Sequence, residues 1–399
     1  MNPYMRAALE SADEDRIVLD LGGIAQQYVS LLRELPGVAV RYAMKAGPVD
    51  EVLGLLAAMG AGVDAAGPRE VEQAVRAGVP VGRIHYGNTV KSDRSIAEAY
   101  RLGVRDFATD SRQDVAALAA HAPGARVFCR LATNGEGAVW RLSRKFGCSG
   151  ADAVRVMAAA RNAGLVPAGL SVHVGSQQMD PEAWQNAFDA IADVLAELGA
   201  LGIAPGHVNL GGGLPAPGYL DRRGVPLEPP LDKIFAVIRE GVQRLRETAR
   251  SELDFLVEPG RHLIAPHGAI RAHVARLSSR EQPTGEQEHW LYLSCGKFNG
   301  LYEMDQLRYR LVFPGHPDQD ADSVPAVVAG PTCDSDDAYA HDHEHPLVRV
   351  PRTLSSGDPV WILSCGAYSI SYMTTGFNGI SPLPYQCIRG GPVLTEGLE

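Results

Sequence analysis

No run of apolar residues in this 399-residue chain approaches the length of a membrane span, and residues 1–20 carry no basic segment followed by an apolar one. Neither membrane insertion nor secretion is expected on that pattern. Cysteine is sparse. The six thiols (Cys129, Cys148, Cys295, Cys333, Cys365 and Cys387) are scattered, with no CxxC pair and no zinc spacing. They read as reduced thiols in a cytoplasm, not as a disulfide framework or a metal site. Positive charge is in deficit too. With 37 Lys+Arg against 47 Asp+Glu, the net charge of −10 argues against nucleic acid or an anionic membrane as the main partner. No glycine fingerprint follows the first apolar run, which counts against a doubly wound dinucleotide fold. Internal repeats and low-complexity segments are absent as well.

What is present is ordinary in amount and informative in order. Hydrophobic residues at 45% and charged residues at 21% suit a globular protein large enough for one big domain and a smaller one. Short apolar segments at 38–45, 62–65, 83–87, 106–109, 126–131, 169–174, 207–210 and 254–258 alternate with helical stretches at 51–59, 95–102, 112–120, 151–163, 181–198 and 231–250. Such a βα series predicts a TIM (β/α)8 barrel, with functional residues at the C-terminal ends of the strands. After about residue 265 the texture changes to Val/Ile/Tyr-rich pieces at 270–277, 290–294, 326–328 and 359–363, punctuated by Pro, Gly and Asp. The expectation is an α/β barrel over residues 22–264 and an all-β domain from 1–21 plus 265–399. The acidic and His-rich stretch 334–345 lacks a second cluster at ligand spacing and reads as a solvated loop, with no metal expected.

Polar residues fall where strands end. Lys45 closes the first apolar run; burial there would favour the neutral amine, the form that attacks a carbonyl to make a Schiff base. Taken alone, Lys45 is an ordinary surface lysine; its company gives it meaning. Gly211-Gly212-Gly213 offers bare backbone amides to an anion, although a tight turn would look the same. Gly175-Ser176 could add a hydroxyl and an amide. His173 is either a core histidine or a flat partner for an aromatic cofactor. Glu258, in Glu258-Pro259-Gly260-Arg261, can keep a pyridine nitrogen protonated, and Arg261 can meet a phosphate; the bland alternative is a turn with a surface ion pair.

The ordered set Tyr42-Ala43-Met44-Lys45, His173-Val174-Gly175-Ser176, Gly211-Gly212-Gly213, Glu258-Pro259-Gly260-Arg261, Gly330-Pro331-Thr332-Cys333-Asp334 and Gly366-Ala367-Tyr368 resembles the fold-type III pyridoxal-phosphate decarboxylases, the ornithine/diaminopimelate/arginine decarboxylase group. The likeness spans nearly the whole chain. It implies a TIM barrel with a β-domain (an alanine racemase-like fold) and a head-to-tail homodimer with shared active sites, bound to pyridoxal 5′-phosphate. By the same resemblance Lys45 would carry the cofactor and His173 would stack on its ring, with Asp64 and Glu70 in support. Glu258 would bind the pyridine nitrogen; Ser176, Gly212, Gly213, Gly260, Arg261 and Tyr368 would hold the phosphate segment, and Arg130 would line the site. Cys333, from the partner subunit, would return a proton to the substrate carbon, and Asp334 would bind a distal ammonium.

Cys333-Asp334, with Phe377-Asn378-Gly379 downstream, looks closest to ornithine decarboxylase and its lysine/ornithine relatives. The implied reaction is decarboxylation of a basic L-amino acid, L-ornithine first and L-lysine next, in polyamine biosynthesis. One segment departs from the pattern. A second acidic residue is expected after an aromatic one, and here Tyr302-Glu303 or Asp305 could supply it. A modified or carrier-bound amino acid therefore stays open as a substrate. Asp334 in place of glutamate counts against a diaminopimelate decarboxylase, although Arg308 and Arg310 leave some room. Glu258 counts against a racemase, and the full set of cofactor residues counts against a non-catalytic relative such as an antizyme inhibitor.

Overall fold

The computed structural model describes residues 1–141, 145–249, 252–317, 322–341 and 345–391, and the chain divides into two compact units. One comprises Gln27–Pro215 with Pro229–Gly260; the other comprises Met1–Gln26, Ala216–Glu228 and Arg261–Glu399.

The first unit is a closed barrel of eight parallel strands. In order these are Val38–Ala43, Gly62–Ala65, Ile84–Tyr86, Asp106–Thr109, Arg126–Arg130, Val166–Ser171, His207–Asn209 and Asp254–Val257. The eighth pairs back to the first through Phe255↔Val38 and Val257↔Val40, which closes the ring. Each expected strand is there, although the first ends at Ala43 and the sixth at Ser171, so Lys45 and His173 lie beyond strand ends. Between the strands run helices whose starts are written locally. Ser92, Ser111 and Ser149 each accept a hydrogen bond from the backbone N–H three residues on, at Ser95, Asp114 and Asp152. The barrel helix Pro68–Arg76 was not anticipated. Its nine residues bury only Val71 and Ala74, too few to show a period.

The second unit is built on an eight-stranded sheet around the long strand Gly268–Glu281. That strand pairs antiparallel with Arg16–Asp20, Pro359–Leu363 and Gln287–Leu293. A register shift between Val274 and Arg276 lets one strand serve both sets of neighbours. Residues 1–20 thus contribute a strand, as expected, and also a helix, Pro3–Glu10. Met5 and Leu9 from that helix pack with Val18, Ala269 and Trp361 in a buried cluster, which explains why the segment is held. Among the described residues, no helix is long and apolar enough to cross a membrane. Of the stretch 334–345, residues 342–344 lie outside the described residues.

Candidate functional site

Lys45 sits in one turn of 3-10 helix, Met44–Ala46, whose two flanking residues are buried. The turn is fixed on both sides: the Tyr42 hydroxyl donates to Gly47 O at 2.9 Å, and Ala43 N donates to Pro259 O at 3.2 Å. Its own side chain is 47% exposed and forms an ion pair with Asp64 Oδ2 at 3.7 Å. The burial expected of Lys45 from the sequence is therefore not seen: the 3-10 turn after Ala43 lifts it off the strand.

Asp64, on the second strand, lies directly opposite His85 on the third. His85 Nε2 is 3.2 Å from Asp64 Oδ1 and 2.8 Å from Glu258 Oε1, with the imidazole side chain only 2% exposed. Glu258 Oε1 also accepts from Asn209 Nδ2 at 2.5 Å, and Asn209 Oδ1 in turn accepts from Gly211 N at 2.8 Å. One oxygen of Glu258 is thus anchored by two neighbours. Burial alone would raise the Asp64 carboxyl, but Lys45, His85 and Arg130 outweigh it and bring it down to about 2. Glu70, whose Oε2 accepts from Ala66 N, is pushed up by burial and further by Asp64. The missing side chain of Gly87 matters here, because a Cβ would fall 1.9 Å from Asp64 Oδ1.

His173 Nδ1 accepts from Gly175 N at 3.1 Å, and the Thr133 hydroxyl donates to His173 O at 2.7 Å. Burial, then the charges of Arg130 and Lys45, hold the imidazole well below its usual value, so it is neutral with its proton on Nε2. The glycine triplet is forced by close approach: a Cβ on Gly211 would lie 2.0 Å from Val172 O, and one on Gly213 would lie 2.6 Å from Gly175 O. Both have positive φ, 67° and 102°. The tight turn that the sequence also allowed is present. Ser176 begins the short strand Ser176–Gln178, and Arg130 ends the fifth barrel strand with its guanidinium 4.9 Å over the Phe146 ring. Gly260 approaches closely enough that a Cβ would lie 2.7 Å from Ala46 Cβ.

In the second unit, Arg261 is buried and paired end-on with Glu303: Nη1 to Oε2 at 2.5 Å and Nη2 to Oε1 at 2.6 Å. Nη1 also donates to the Tyr219 hydroxyl at 3.3 Å, and the guanidinium lies 4.7 Å from the Tyr368 ring. Glu303 was expected at the substrate's ammonium. Both of its oxygens instead serve Arg261, because either charge buried alone would be costly. Tyr302 stacks on Tyr372 at 4.3 Å, and Tyr372 stacks on Tyr368 at 5.7 Å. Asp305 lies 3.8 Å from Lys297 Nζ on the surface.

Cys333 is exposed; its N–H donates to Asn378 Oδ1 at 2.9 Å and its sulfur accepts from Asn378 Nδ2 at 3.2 Å. Asp334 is exposed beside it, with Oδ1 accepting from Asp336 N at 2.9 Å. What shapes this loop is Asp337, whose buried carboxylate accepts from Lys297 N, Thr332 N and the Thr332 hydroxyl. His85, Asn209, Tyr219 and Asp337 were all missed from sequence. Only Asn209 carried a signal, a polar residue inside the apolar Val208-Asn209-Leu210.

To a pyridine ring bearing an aldehyde and a phosphate, the barrel would offer the Lys45 amine, the Glu258 carboxylate, the neutral His173 and the backbone amides of the glycine turn. These residues fit pyridoxal phosphate and define a (β/α)8 pyridoxal enzyme.

Comparison with known proteins supplies the second step. Residues 21–265 match the pyridoxal binding domain of the pyridoxal-dependent decarboxylases. A lysine/ornithine decarboxylase of Selenomonas ruminantium is 29% identical over 92% of this chain and 88% of its own length. A solved structure of SrLDC in complex with PLP and cadaverine superposes with a TM-score of 0.83 at 26% identity, covering 97% of this chain and 94% of that one. Antizyme inhibitor 2 of Xenopus laevis is 28% identical over 98% of this chain and 86% of its own length. The chain belongs to the pyridoxal-dependent decarboxylases, in their ornithine/lysine decarboxylase-like branch with a TIM barrel and a β-domain. It is a decarboxylase of amino acids, and its cofactor is pyridoxal 5′-phosphate.

Proposed function

We propose that this enzyme removes the α-carboxylate of a basic L-amino acid, L-ornithine first and L-lysine second, to give putrescine or cadaverine. The observation that carries the substrate class is the exposed Cys333-Asp334 pair, fixed by Asn378 and by the Asp337-centred loop. A carboxylate presented there favours a terminal ammonium and disfavours a second carboxylate. Hydrogen bonds to charged groups are worth roughly 1.5–3 kcal/mol each, and a site built around one rejects a ligand lacking its partner. The named lysine/ornithine relative and the cadaverine-bound neighbour support the same class.

The cofactor, when bound, supplies an electron sink for the bond to the leaving carboxylate. The chain's own residues do the rest. Lys45 would give the amine that holds the cofactor. Glu258 holds a proton at the ring nitrogen with Oε2, its other oxygen being tied to Asn209 and His85. His173, kept neutral and anchored through Nδ1, covers the ring without adding charge. Ser176, Gly212 and Gly213 would offer the phosphate a hydroxyl and amides; Gly260, Arg261 and Tyr368 are proposed as further residues for the same group, with Glu303 balancing the Arg261 charge. Asp64 and Arg130 keep the Lys45 end of the site charged and oriented, and Tyr302 flanks the substrate.

The reading includes a homodimer in which Cys333 and Asp334 of one protomer complete the site of its partner, with Cys333 returning the proton. Their exposure on the β-domain unit fits residues that serve another chain. Mixing Lys45→Ala with Cys333→Ala chains should restore part of the activity through hybrid dimers. No recovery after demonstrated subunit exchange counts against the shared site. We place the enzyme in the cytosol, where its six free thiols stay reduced. Product analysis by mass spectrometry tests the substrate: with pyridoxal phosphate and L-ornithine, L-lysine, L-arginine or meso-diaminopimelate, putrescine or cadaverine is expected. No amine from any of them overturns the substrate assignment and moves it to a modified or carrier-bound amino acid.

A further inference from the structure

The role given to Glu258 leaves a charge problem inside the barrel that His85 is placed to solve. Asp64, His85 and Glu258 bring one ligand atom each within 4.8 Å of the others, two of them carboxylate oxygens. Two carboxylates so close, Asp64 buried and Glu258 partly so, repel each other unless a cation lies between them. His85 Nε2 occupies that position, 3.2 Å from one carboxylate and 2.8 Å from the other. It is buried, as is Asp64 Oδ1, and neither atom has a well-aligned hydrogen bond among the described residues. One N–H facing two acceptors cannot align with both.

We propose that His85 is a positioning residue: as an imidazolium it lies between Asp64 and Glu258, offsets their mutual repulsion, and holds Glu258 so that Oε2 would be turned to the cofactor's ring nitrogen. The inference rests on the assignment of Glu258 made above.

The surroundings of the ring agree. The fourth strand places Asp106 opposite His85, the first carries Arg41, and the seventh carries His207, whose own imidazole is depressed to about 4 chiefly by burial. Phe128, from the fifth strand, packs on the imidazole at 5.1 Å. Burial and the Arg41 charge oppose the cation, while Asp64 and Glu258 favour it and prevail, so His85 stands above its ordinary 6.5. Asp64 hands the effect on, since its other oxygen meets Lys45. A chain of alternating charge, Lys45–Asp64–His85–Glu258, thereby joins the cofactor's two reactive ends. A histidine serving only to fill the core would need neither carboxylate.

Two measurements test this. In the apoenzyme labelled with 15N-histidine, and with the His85 signal assigned by its loss in His85→Gln, the ring nitrogens should show an imidazolium from acid pH through neutrality; a neutral His85 at neutral pH overturns the proposal. In the holoenzyme, His85→Leu should weaken cofactor binding about tenfold or more and shift the pH midpoint of the visible cofactor band. His85→Gln should restore folding but neither of these. Wild-type affinity and midpoint in both variants would sink the role, even if thermal stability fell. Glu258→Gln separates the two readings. If it moves the midpoint and the His85 variants do not, Glu258 keeps its role and His85 loses its own; if none does, both fail. A stoichiometric metal that disappears with His85→Leu would also overturn the imidazolium, replacing it with a metal centre.

Discussion

Lys91 follows the third barrel strand and Lys45 follows the first, yet their amines have opposite surroundings. Lys91 Nζ is fully buried and is ringed by Ala108 O at 2.7 Å, Asp114 Oδ2 at 2.8 Å, Asn88 O at 3.2 Å and Thr89 O at 3.3 Å. Burial pushes its amine down and the Asp114 carboxyl up, and the ion pair between them resists both shifts. Lys45 is nearly half exposed, with its Asp64 partner at 3.7 Å against 2.8 Å for the Lys91–Asp114 pair. A buried lysine surrounded by oxygen acceptors is a clamp between segments, whereas the half-exposed Lys45 amine meets its carboxylate at a longer distance. Position after a barrel strand is therefore a poor guide to a lysine's role; exposure and the closeness of the paired carboxylate separate these two.

The sharpest break in this contrast is to remove each amine in turn. Lys45→Ala should abolish the visible cofactor band and lower activity by roughly 10⁴-fold or more, as loss of a covalent group does, with the fold intact by circular dichroism. Lys91→Met should do the reverse. It strands the buried Asp114 carboxylate, at about 3–5 kcal/mol of stability by denaturant titration, while the band stays in the folded fraction. Adding Asp114→Asn should return part of that loss; no recovery would mean that the pair is not what Lys91 stabilises.

The same distinction between buried and exposed groups predicts a pH dependence. His207 and His267 are depressed from 6.5 to about 4, in each case chiefly by burial. A group depressed in the folded state contributes its full stabilisation above 6.5 and loses it as pH falls through about 4, here about 3 kcal/mol each. Denaturant midpoints should drop between these values, and His207→Gln should flatten the slope. An unchanged slope would remove His207 from the account. The smallest effect is expected at the exposed Asp334. Asp334→Asn should reduce kcat/KM for the diamino acid about 10- to 100-fold, mainly through KM, with the cofactor band unchanged.

All eight barrel strands were legible because a buried parallel strand must be a continuous apolar run, and nothing else in the chain alternates such runs with helices. The residues at their ends were legible for the same reason, since polar groups there interrupt a strong pattern. His85 was not. It sits between Ile84 and Tyr86 in a three-residue strand and looks like any core histidine until register sets it opposite Asp64. Glu303 was misread for a related reason. Its sequence neighbour Tyr302 suggested a substrate contact, but Arg261, 42 positions away, takes both of its oxygens.

The sequence by itself determined the barrel, the β-domain, the cofactor and the reaction family, because apolar periodicity and ordered short motifs are local properties of the chain. Tertiary structure alone decided which charges meet. Whether a lysine is buried among acceptors or half exposed, and whether a carboxylate faces an arginine or a histidine, depends on ångström-scale distances between segments far apart in sequence. Electrostatic energy falls with those distances and grows with burial, and neither quantity can be read from the order of residues.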